Sequence, residues 1–277
     1  MLYLDAIPEY QKKQIETNFG YRWSLKKEIF SFFPYRGIKG SVEKIKKSYY
    51  KKRLLNIYEK KSYKIQNING KYVVLFLHYQ PERTSIPEGR FFFHQSIMIQ
   101  CLSEKIPKDW TLIIKEHPSV FMNDFKYKYR DEYFYHDFSH SKNIKFISLH
   151  EDPFALIDGC EAVATITGTV GIEALLRGKP VLVFGNAKYR GFHDVFEITN
   201  LVDIDSGLKR IKNISSDEII KNTNKEILAI MKNSVSGFTM INRSSIDHIY
   251  DPICTRRGTI ELIRTVLRLM EDAAPAL

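Results

Sequence analysis

The sequence predicts an α/β fold built on a Rossmann-like parallel sheet. The run Tyr72–Tyr79 is nearly all apolar and rich in β-forming residues, which is typical of a strand buried on both faces of a parallel sheet. After it, short apolar runs alternate with segments of helical spacing, as in successive βαβ units. Polar turns follow several of these runs. Open parallel sheets bind ligands beyond the carboxyl ends of their strands.

The remaining elements follow in order along the chain. The predicted strands after the first are Thr111–Lys115, Ile144–Ser148, Ala162–Ile166, Pro180–Phe184 and Leu201–Ile204. The predicted helices between them are Phe92–Glu104, Pro153–Asp158 and Thr169–Arg177, the last of which ends at Gly178. Further helices are predicted before and after the sheet along the chain, at Trp23–Phe33, Ser41–Glu59 and Thr259–Glu271.

These elements predict three parts. Residues 1–70 form a basic, mostly helical remnant or linker of an N-terminal domain, because no βαβ unit is evident there. Residues 71–213 form the Rossmann-like domain, and residues 214–277 form C-terminal helices. The hydrophobic content of 44% is enough for a sizeable core.

Cysteine usage and hydropathy bear on location. The three cysteines are far apart and show neither disulfide nor metal-ligand spacing, which suits a reducing compartment. No apolar run approaches the roughly 20 residues of a membrane span, and the N-terminus lacks the apolar stretch of a signal peptide. We therefore expect a cytoplasmic protein.

The net charge of +10 lies entirely in the first quarter of the chain. Residues 1–70 hold 16 Lys/Arg and 6 Asp/Glu, whereas residues 71–277 hold 26 of each. The densest part, Lys44–Arg53, interleaves lysines with Tyr49 and Tyr50. Such a segment is either a solvated helix face or a peripheral contact with anionic lipid at the inner face of the membrane. Nucleic acid is disfavoured as a partner, because the remaining domain has no positive excess to extend a footprint.

A first polar cluster follows strand Tyr72–Tyr79. Gln80, Glu82 and Arg83 surround the proline-stiffened turn at Pro81. A Glu-Arg pair here supplies both a carboxylate and a guanidinium fork suited to phosphate. The alternative is a surface salt bridge within a loop.

A second cluster follows strand Thr111–Lys115. Glu116, His117 and Pro118 come directly after it, so His117 lies at a strand end and not on a core face. A histidine there can donate to a phosphate oxygen and can protonate it as a leaving group departs. The alternative is a histidine with a purely structural role.

A third cluster follows strand Ala162–Ile166. Thr167 and Thr169 offer hydroxyls, Gly168 allows close approach to the backbone, and the next helix presents its positive dipole end. Glu173, one turn into that helix, is placed to accept hydrogen bonds from a ribose. The alternative is N-capping by threonine with Glu173 in a capping box.

Two further sequence patterns bear on the functional class of the protein. The chain has neither GxGxxG after the first strand nor GxxxxGK[ST], which disfavours dinucleotide dehydrogenases and P-loop enzymes. The segment Phe121–Phe138 has eight Phe/Tyr in eighteen residues. It predicts either a sugar-stacking wall or a loop packed on the core or on a partner domain.

Three stretches together resemble bacterial capsule and surface-polysaccharide biosynthesis proteins, which include transferases that use CMP-Kdo. They are His78–Gly89 (HYQPERTSIPEG), Lys115–Pro118 (KEHP) and Ile166–Gly185 (ITGTVGIEALLRGKPVLVFG). The His-Pro pair and the hydroxyl-rich turn are also similar to those of CMP-sialic acid transferases and teichoic-acid glycerophosphotransferases. The resemblance covers about half the chain.

The resemblance implies the C-terminal, donor-binding half of a GT-B glycosyltransferase. It implies transfer of a sugar, for example Kdo, from a CMP-activated donor to a glycan or glycolipid acceptor, with no metal and no cofactor besides the donor substrate. His117 and Glu82 would be catalytic. The implied substrate-binding residues are Gln80, Arg83, Glu116, Pro118, Thr167, Gly168, Thr169 and Glu173.

Residues 1–70 are too short for the N-terminal Rossmann domain of a GT-B enzyme, so we expect a chain that lacks the acceptor domain. Two alternatives stay open. One is a CDP-glycerol-type glycerophosphotransferase, which would use similar phosphate contacts. The other is a non-catalytic protein that binds nucleotide sugars.

Overall fold

The computed structural model describes residues 38–122 and 130–232. Within these ranges, seven parallel strands form one sheet. The strands are β1 (Ser62–Tyr63), β2 (Tyr72–Phe76), β3 (Thr111–Lys115), β4 (Ile144–Ile147), β5 (Ala162–Thr165), β6 (Val181–Val183) and β7 (Val195–Glu197).

Helices connect and cover these strands. They are α1 (Ile38–Lys61), α2 (Gln95–Lys105), α3 (Ser119–Met122), α4 (Glu132–Ser139), α5 (Pro153–Gly159), α6 (Val170–Leu176), α7 (Leu201–Ile211) and α8 (Ser216–Lys232). Short 3₁₀ turns occupy Ile65–Asn67 and Arg90–Phe93. The predicted helices Trp23–Phe33 and Thr259–Glu271 lie outside the described residues.

The sheet order is β1-β4-β3-β2-β5-β6-β7. From β4 to β7 this is the order of the doubly wound dinucleotide-binding fold, with β2 as its first strand and β1 added at one edge. The predicted Rossmann-like α/β class is confirmed. Chain order reverses between β2 and β5, so the crevice expected to bind a ligand lies at the carboxyl ends of these two strands.

Alternating side chains of β2 explain the three layers. Val73 and Leu75 belong to one apolar cluster, which also takes side chains from α1, α2, α4 and α7. Tyr72 and Val74 face the other cluster, with side chains from α5, α6 and α8. A strand covered on both faces has no solvent side, which is why its sequence is continuously apolar.

The expected boundary at residue 70 falls inside this unit. Strand β1 joins the sheet beside β4, and Leu54 and Tyr58 of α1 are 4% and 0% exposed in its core. The hydroxyl of Tyr58 donates to the carbonyl of Ile147 at 2.5 Å. Helix α1 is therefore a component of the sheet's own domain.

The expected boundary at residue 213 also moves. The chain divides into two compact units, residues 1–223 and 224–277. Ile219 and Thr223 in the first half of α8 are buried in the first unit. Of the second unit, the structure describes only residues 224–232, the end of α8.

The strand predicted at Leu201–Ile204 is wrong: these residues begin α7, and the last strand is Val195–Glu197. Asn200 accepts from the backbone N–H groups of Val202 and Asp203, while the Asp203 carboxylate accepts from the N–H of Asn200. This capping box satisfies amides that a helix start would otherwise leave unpaired, and it outweighs the β preference of an isolated valine.

Candidate functional site

His78 joins the two strands that flank the crevice. It follows β2, is 8% exposed, and its Nε2 lies 2.9 Å from Oγ1 of Thr165 at the end of β5. The same nitrogen accepts the N–H of Thr167 at 3.3 Å. Because Nε2 accepts, the ring proton lies on Nδ1 and the Thr165 hydroxyl donates to Nε2. The Thr165 oxygen in turn accepts from the N–H of Gly168 at 3.3 Å.

Burial lowers the pKa of His78 from 6.5 to about 4, with smaller contributions from the electrostatic interactions with His117 and Arg130. The imidazole is therefore neutral at physiological pH and keeps its acceptor role. His78 was within the resembling stretch but was not among the predicted site residues. The available signal was a histidine that closes an otherwise apolar, fully buried strand.

Two glutamines fix the backbone around His78. The amide of Gln95 accepts from the His78 N–H at 2.8 Å and donates to the His78 carbonyl at 2.9 Å. Gln80 is 7% exposed; its Nε2 donates to the Phe93 carbonyl and its Oε1 accepts from Nη1 of Arg130 at 3.3 Å. Gln80 was predicted to bind a ligand, but both polar atoms of its amide are bonded to Phe93 and Arg130 in the protein interior.

The loop after Gln80 is mostly exposed. Its Arg83 pairs with Glu88 (3.2 Å), whereas Glu82 accepts from the Thr84 hydroxyl at 3.1 Å. The expected pairing of Glu82 with Arg83 is not the arrangement seen. Burial lowers the pKa of His117, and the negative charges of Glu116 and Glu82 oppose that shift in part, so the two predicted catalytic residues, Glu82 and His117, lie within electrostatic range of each other.

His117 follows β3 and is partly buried, with its ring centroid 6.0 Å from that of Tyr79. Its Nδ1 accepts the N–H of Ser119 at 3.2 Å, so in the neutral ring the proton is on Nε2. Burial lowers the pKa of His117, and the carboxylates of Glu116 and Glu82 oppose that shift in part. The ring thus offers a neutral N–H donor, where the sequence favoured an imidazolium.

The neighbours of His117 differ in accessibility. Glu116 is 1% exposed and its carboxylate is bound on both oxygens. Pro118 is partly buried and begins the turn into α3, its carbonyl accepting from Phe121. Lys115 is also buried, and its Nζ donates to the carbonyls of Ser148 and Glu151. Burial lowers the pKa of Lys115 to about 8, with opposing contributions from nearby carboxylates.

The turn after β5 is held from within. The Thr167 hydroxyl donates to the Thr84 carbonyl at 2.7 Å, which ties this turn to the loop after β2. A Cβ on Gly168 would lie 2.8 Å from Thr165 Oγ1, so only glycine fits. Thr169 precedes α6, is exposed, and makes no side-chain cap to the helix. The N–H groups of residues 167 and 168 donate to His78 and Thr165 inside the domain, whereas Thr169 is exposed.

Helix α6 is packed under Tyr189. The Tyr189 hydroxyl donates to the Gly168 carbonyl, and a Cβ on Gly171 would come within 2.6 Å of its ring. Burial, followed by the charge of Glu173, raises the pKa of Tyr189. Glu173 itself is partly buried, and desolvation raises its pKa against the opposing charge of Arg177. It lies one position beyond the capping-box position after Thr169.

The aromatic-rich segment is largely interior where the structure describes it. Tyr135 is fully buried and Phe138 is 8% exposed, and both belong to the core under β4. Residues 123–129 lie outside the described ranges. In the parts of the chain that the structure describes, no helix is long and apolar enough to span a membrane. The same parts contain no group of three or more His, Cys, Asp or Glu that could hold a metal ion.

Comparisons with known proteins give one family. Residues 34–192 match the family described as capsule polysaccharide biosynthesis protein. No curated protein matches the sequence significantly.

Solved structures are similar to this chain at low sequence identity. The β-Kdo 2,4-transferase KpsC of Thermosulfurimonas dismutans is 16% identical with a TM-score of 0.36, over 59% of this chain and 55% of that one. The KpsC β-Kdo 2,7-transferase of the same organism is 16% identical with a TM-score of 0.37, over 65% of this chain and 62% of that one. The UDP-GlcNAc 2-epimerase of Methanocaldococcus jannaschii is 14% identical with a TM-score of 0.41, over 66% of this chain and 50% of that one. The matched region thus spans less than two thirds of each of these proteins.

Proposed function

Because this chain belongs to the family of capsule polysaccharide biosynthesis proteins, we propose that it is a glycosyltransferase whose described domain binds a nucleotide-activated sugar. The donor would be CMP-activated, with Kdo as the candidate sugar, and the acceptor a glycan or glycolipid. The described domain would then be the donor-binding half of a GT-B enzyme.

One observation carries this proposal: three strand-end turns converge on the switch point of the sheet. His78 ties the end of β2 to the end of β5. His117, at the end of β3, has its Nδ1 bound by the Ser119 amide and therefore presents Nε2–H as a donor. The Thr169 hydroxyl lies at the start of α6. A crevice that offers the His117 N–H and the Thr169 hydroxyl as donors suits a phosphate.

His117 would act on the phosphate as the sugar departs. The phosphate gains negative charge in that step, and a donor already held in place stabilises it more in the transition state than in the ground state. Glu82, in electrostatic range of the ring, is the proposed acid-base partner at the open side of the crevice. Glu116 and Gln80 are engaged with the interior, so we place them behind the site.

The proposed partners follow from this chemistry and from charge. Helix α1 exposes Lys46, Lys52 and Arg53, beside a groove of about 680 Å³ that it forms with α4. We propose that this face makes peripheral contact with an anionic membrane that carries the acceptor. Such a contact needs no membrane-spanning segment.

Calorimetric titration of CMP tests the nucleotide choice. A hydrogen bond to a charged group contributes about 1.5–3 kcal/mol, so His117→Ala should weaken CMP binding about ten- to a hundredfold. His150→Ala, an exposed histidine just after β4, is the matched control and should bind as the wild type does. Stronger stabilisation by ATP or NAD than by cytidine nucleotides would overturn the proposal.

Activity assays separate the remaining alternatives. Release of CMP from a CMP-sugar supports sugar transfer, whereas release of CMP from CDP-glycerol indicates the glycerophosphotransferase. Binding without turnover of either would indicate a binding protein. Lost CMP affinity in His117→Ala with an unchanged melting temperature identifies a ligand contact, because a structural histidine would give the reverse.

A further inference from the structure

A buried ion pair lies directly behind the His117 turn. The Glu116 side chain is fully buried and that of Arg130 is 4% exposed. Arg130 Nε donates to Glu116 Oε2 at 2.9 Å, and the Tyr135 hydroxyl donates to the same oxygen at 2.9 Å. Burying two charges is costly unless their geometry is good and their remaining polar atoms are bonded. Replacing such a pair with apolar residues is often neutral or stabilising, so stability alone gives a weak reason for it.

The pair contacts both loops of the proposed site. On one side, Glu116 Oε1 accepts the backbone N–H of His117 at 2.9 Å. On the other, Arg130 Nη1 donates to Gln80 Oε1 at 3.3 Å, in the loop after β2. The Tyr50 hydroxyl of α1 donates to the Arg130 carbonyl at 3.2 Å, which anchors the arginine from outside the sheet. The turns that follow β2 and β3 are thus joined through one carboxylate and one guanidinium.

We propose that Glu116, held by Arg130, is a positioning residue that sets the orientation and the electrostatic environment of His117. It does so from inside the domain, without contact with the ligand. This rests on the proposed function only in that His117 is the group that meets the phosphate.

The charges around the ring support this role. Burial lowers the pKa of His117, and the carboxylates of Glu116 and Glu82 both oppose that shift. The pKa of His78 is lowered chiefly by burial, with smaller contributions from His117 and Arg130. Of the two carboxylates, Glu82 is exposed and Glu116 is buried. Solvent screens a buried charge less, so Glu116 is the partner whose effect on His117 persists at physiological salt.

The test measures the pKa of the His117 imidazole by NMR in the full chain, with no nucleotide present. Glu116→Gln keeps the shape and an oxygen for the His117 amide but removes the charge, so the His117 pKa should fall. Tyr135→Phe is the matched control, because it removes one hydrogen bond from the same oxygen and leaves the carboxylate in place. The His117 pKa should be unchanged in that variant. An unchanged pKa in Glu116→Gln would overturn the proposal.

A second variant covers a failure to fold. Glu116→Gln leaves Arg130 without its counter-charge, whereas Glu116→Gln/Arg130→Met removes both charges together. The His117 pKa should fall in this double variant as well. A wild-type value in a folded double variant would also refute the positioning role.

A double-mutant cycle with CMP then tests whether Glu116 acts through His117. Alone, Glu116→Gln should weaken CMP binding about two- to tenfold, the lower part of the range of coupling between contacting residues. In the His117→Ala background the same change should have no further effect. Additive losses would refute the proposal. If CMP does not bind the wild type, the proposed function fails, while the NMR titration still decides the role of Glu116.

Discussion

The buried neutral state of His78 makes the stability of the domain depend on pH in a defined window. Its pKa is lowered from 6.5 to about 4 by burial, with the His117 and Arg130 charges adding to the shift. Above pH 6.5 the ring is neutral in the folded and unfolded chains and has no effect. Between pH 6.5 and 4 the unfolded chain binds a proton that the folded chain does not, so stability falls as the pH falls.

The size of this loss follows from the shift. One pKa unit corresponds to about 1.4 kcal/mol, so a shift from 6.5 to about 4 costs roughly 3 kcal/mol of unfolding free energy, complete at about pH 4. That is a large part of the 5–15 kcal/mol typical of a domain. We expect His78→Gln to lose this dependence, because glutamine does not titrate and still offers an oxygen to the Thr167 amide.

Urea unfolding of the wild type and the variant at several pH values between 7.5 and 4.5 measures the effect. The difference in unfolding free energy between the two proteins should change by up to about 1.4 kcal/mol for each pH unit below pH 6.5, which corresponds to one bound proton. Thr165→Val is the control: it removes the hydroxyl bound to His78, so it should lower stability at every pH while keeping the wild-type slope. An identical slope in His78→Gln and the wild type would show that His78 is not buried in the neutral form.

Two other predictions concern packing and membrane contact. Gly171→Ala should cost about 1–3 kcal/mol in a thermal melt, because its Cβ would collide with the ring of Tyr189; Gly191→Ala, which meets nothing within 4 Å, should change little, and equal effects would contradict the packing account. Lys46→Glu/Lys52→Glu should weaken co-sedimentation with anionic vesicles about thirtyfold or more, at about 1 kcal/mol for each lysine, and added salt should weaken wild-type binding. The same charge change at residues 64 and 108, both exposed lysines, should have a smaller effect, and equal losses would remove the case for a specific face.

The fold was predictable where the sequence carried a strong local pattern. Strand Thr111–Lys115 has the predicted bounds, and three of the four runs predicted after it are strands whose ends differ by at most one residue, the exception being Leu201–Ile204. Local pattern failed where the outcome depended on distant contacts. Strand Ser62–Tyr63 is too short to show periodicity and exists because β4 offers it a partner. Helix α1 looked peripheral because most of its residues are polar, yet Tyr58 reaches the core.

For the candidate site too, the positions of the turns were predictable from the sequence, whereas contacts between distant residues were not. Topology rules alone located the turns after β2, β3 and β5, because parallel strands bring their carboxyl ends to one edge. The direction in which each polar side chain points was not predictable. Gln80 and Glu116 look like ligand contacts in a one-dimensional sequence, but both turn inward toward Arg130, fifty and fourteen residues away along the chain.

The inward-facing residues bear on how the proposed site would hold a phosphate without many exposed charges. The Thr167 N–H donates to the His78 ring in the neighbouring turn, while the Gly168 N–H donates to Thr165 and the His117 N–H donates to Glu116 within their own turns. These hydrogen bonds fix the backbone positions of the turns in the absence of a ligand. Donors that are already oriented need no reorganisation as charge develops, which is the condition under which they stabilise a transition state. The His78 ring accepts the Thr167 N–H only when it is neutral, so its protonation below about pH 4 would break the hydrogen bond that joins the turns after β2 and β5.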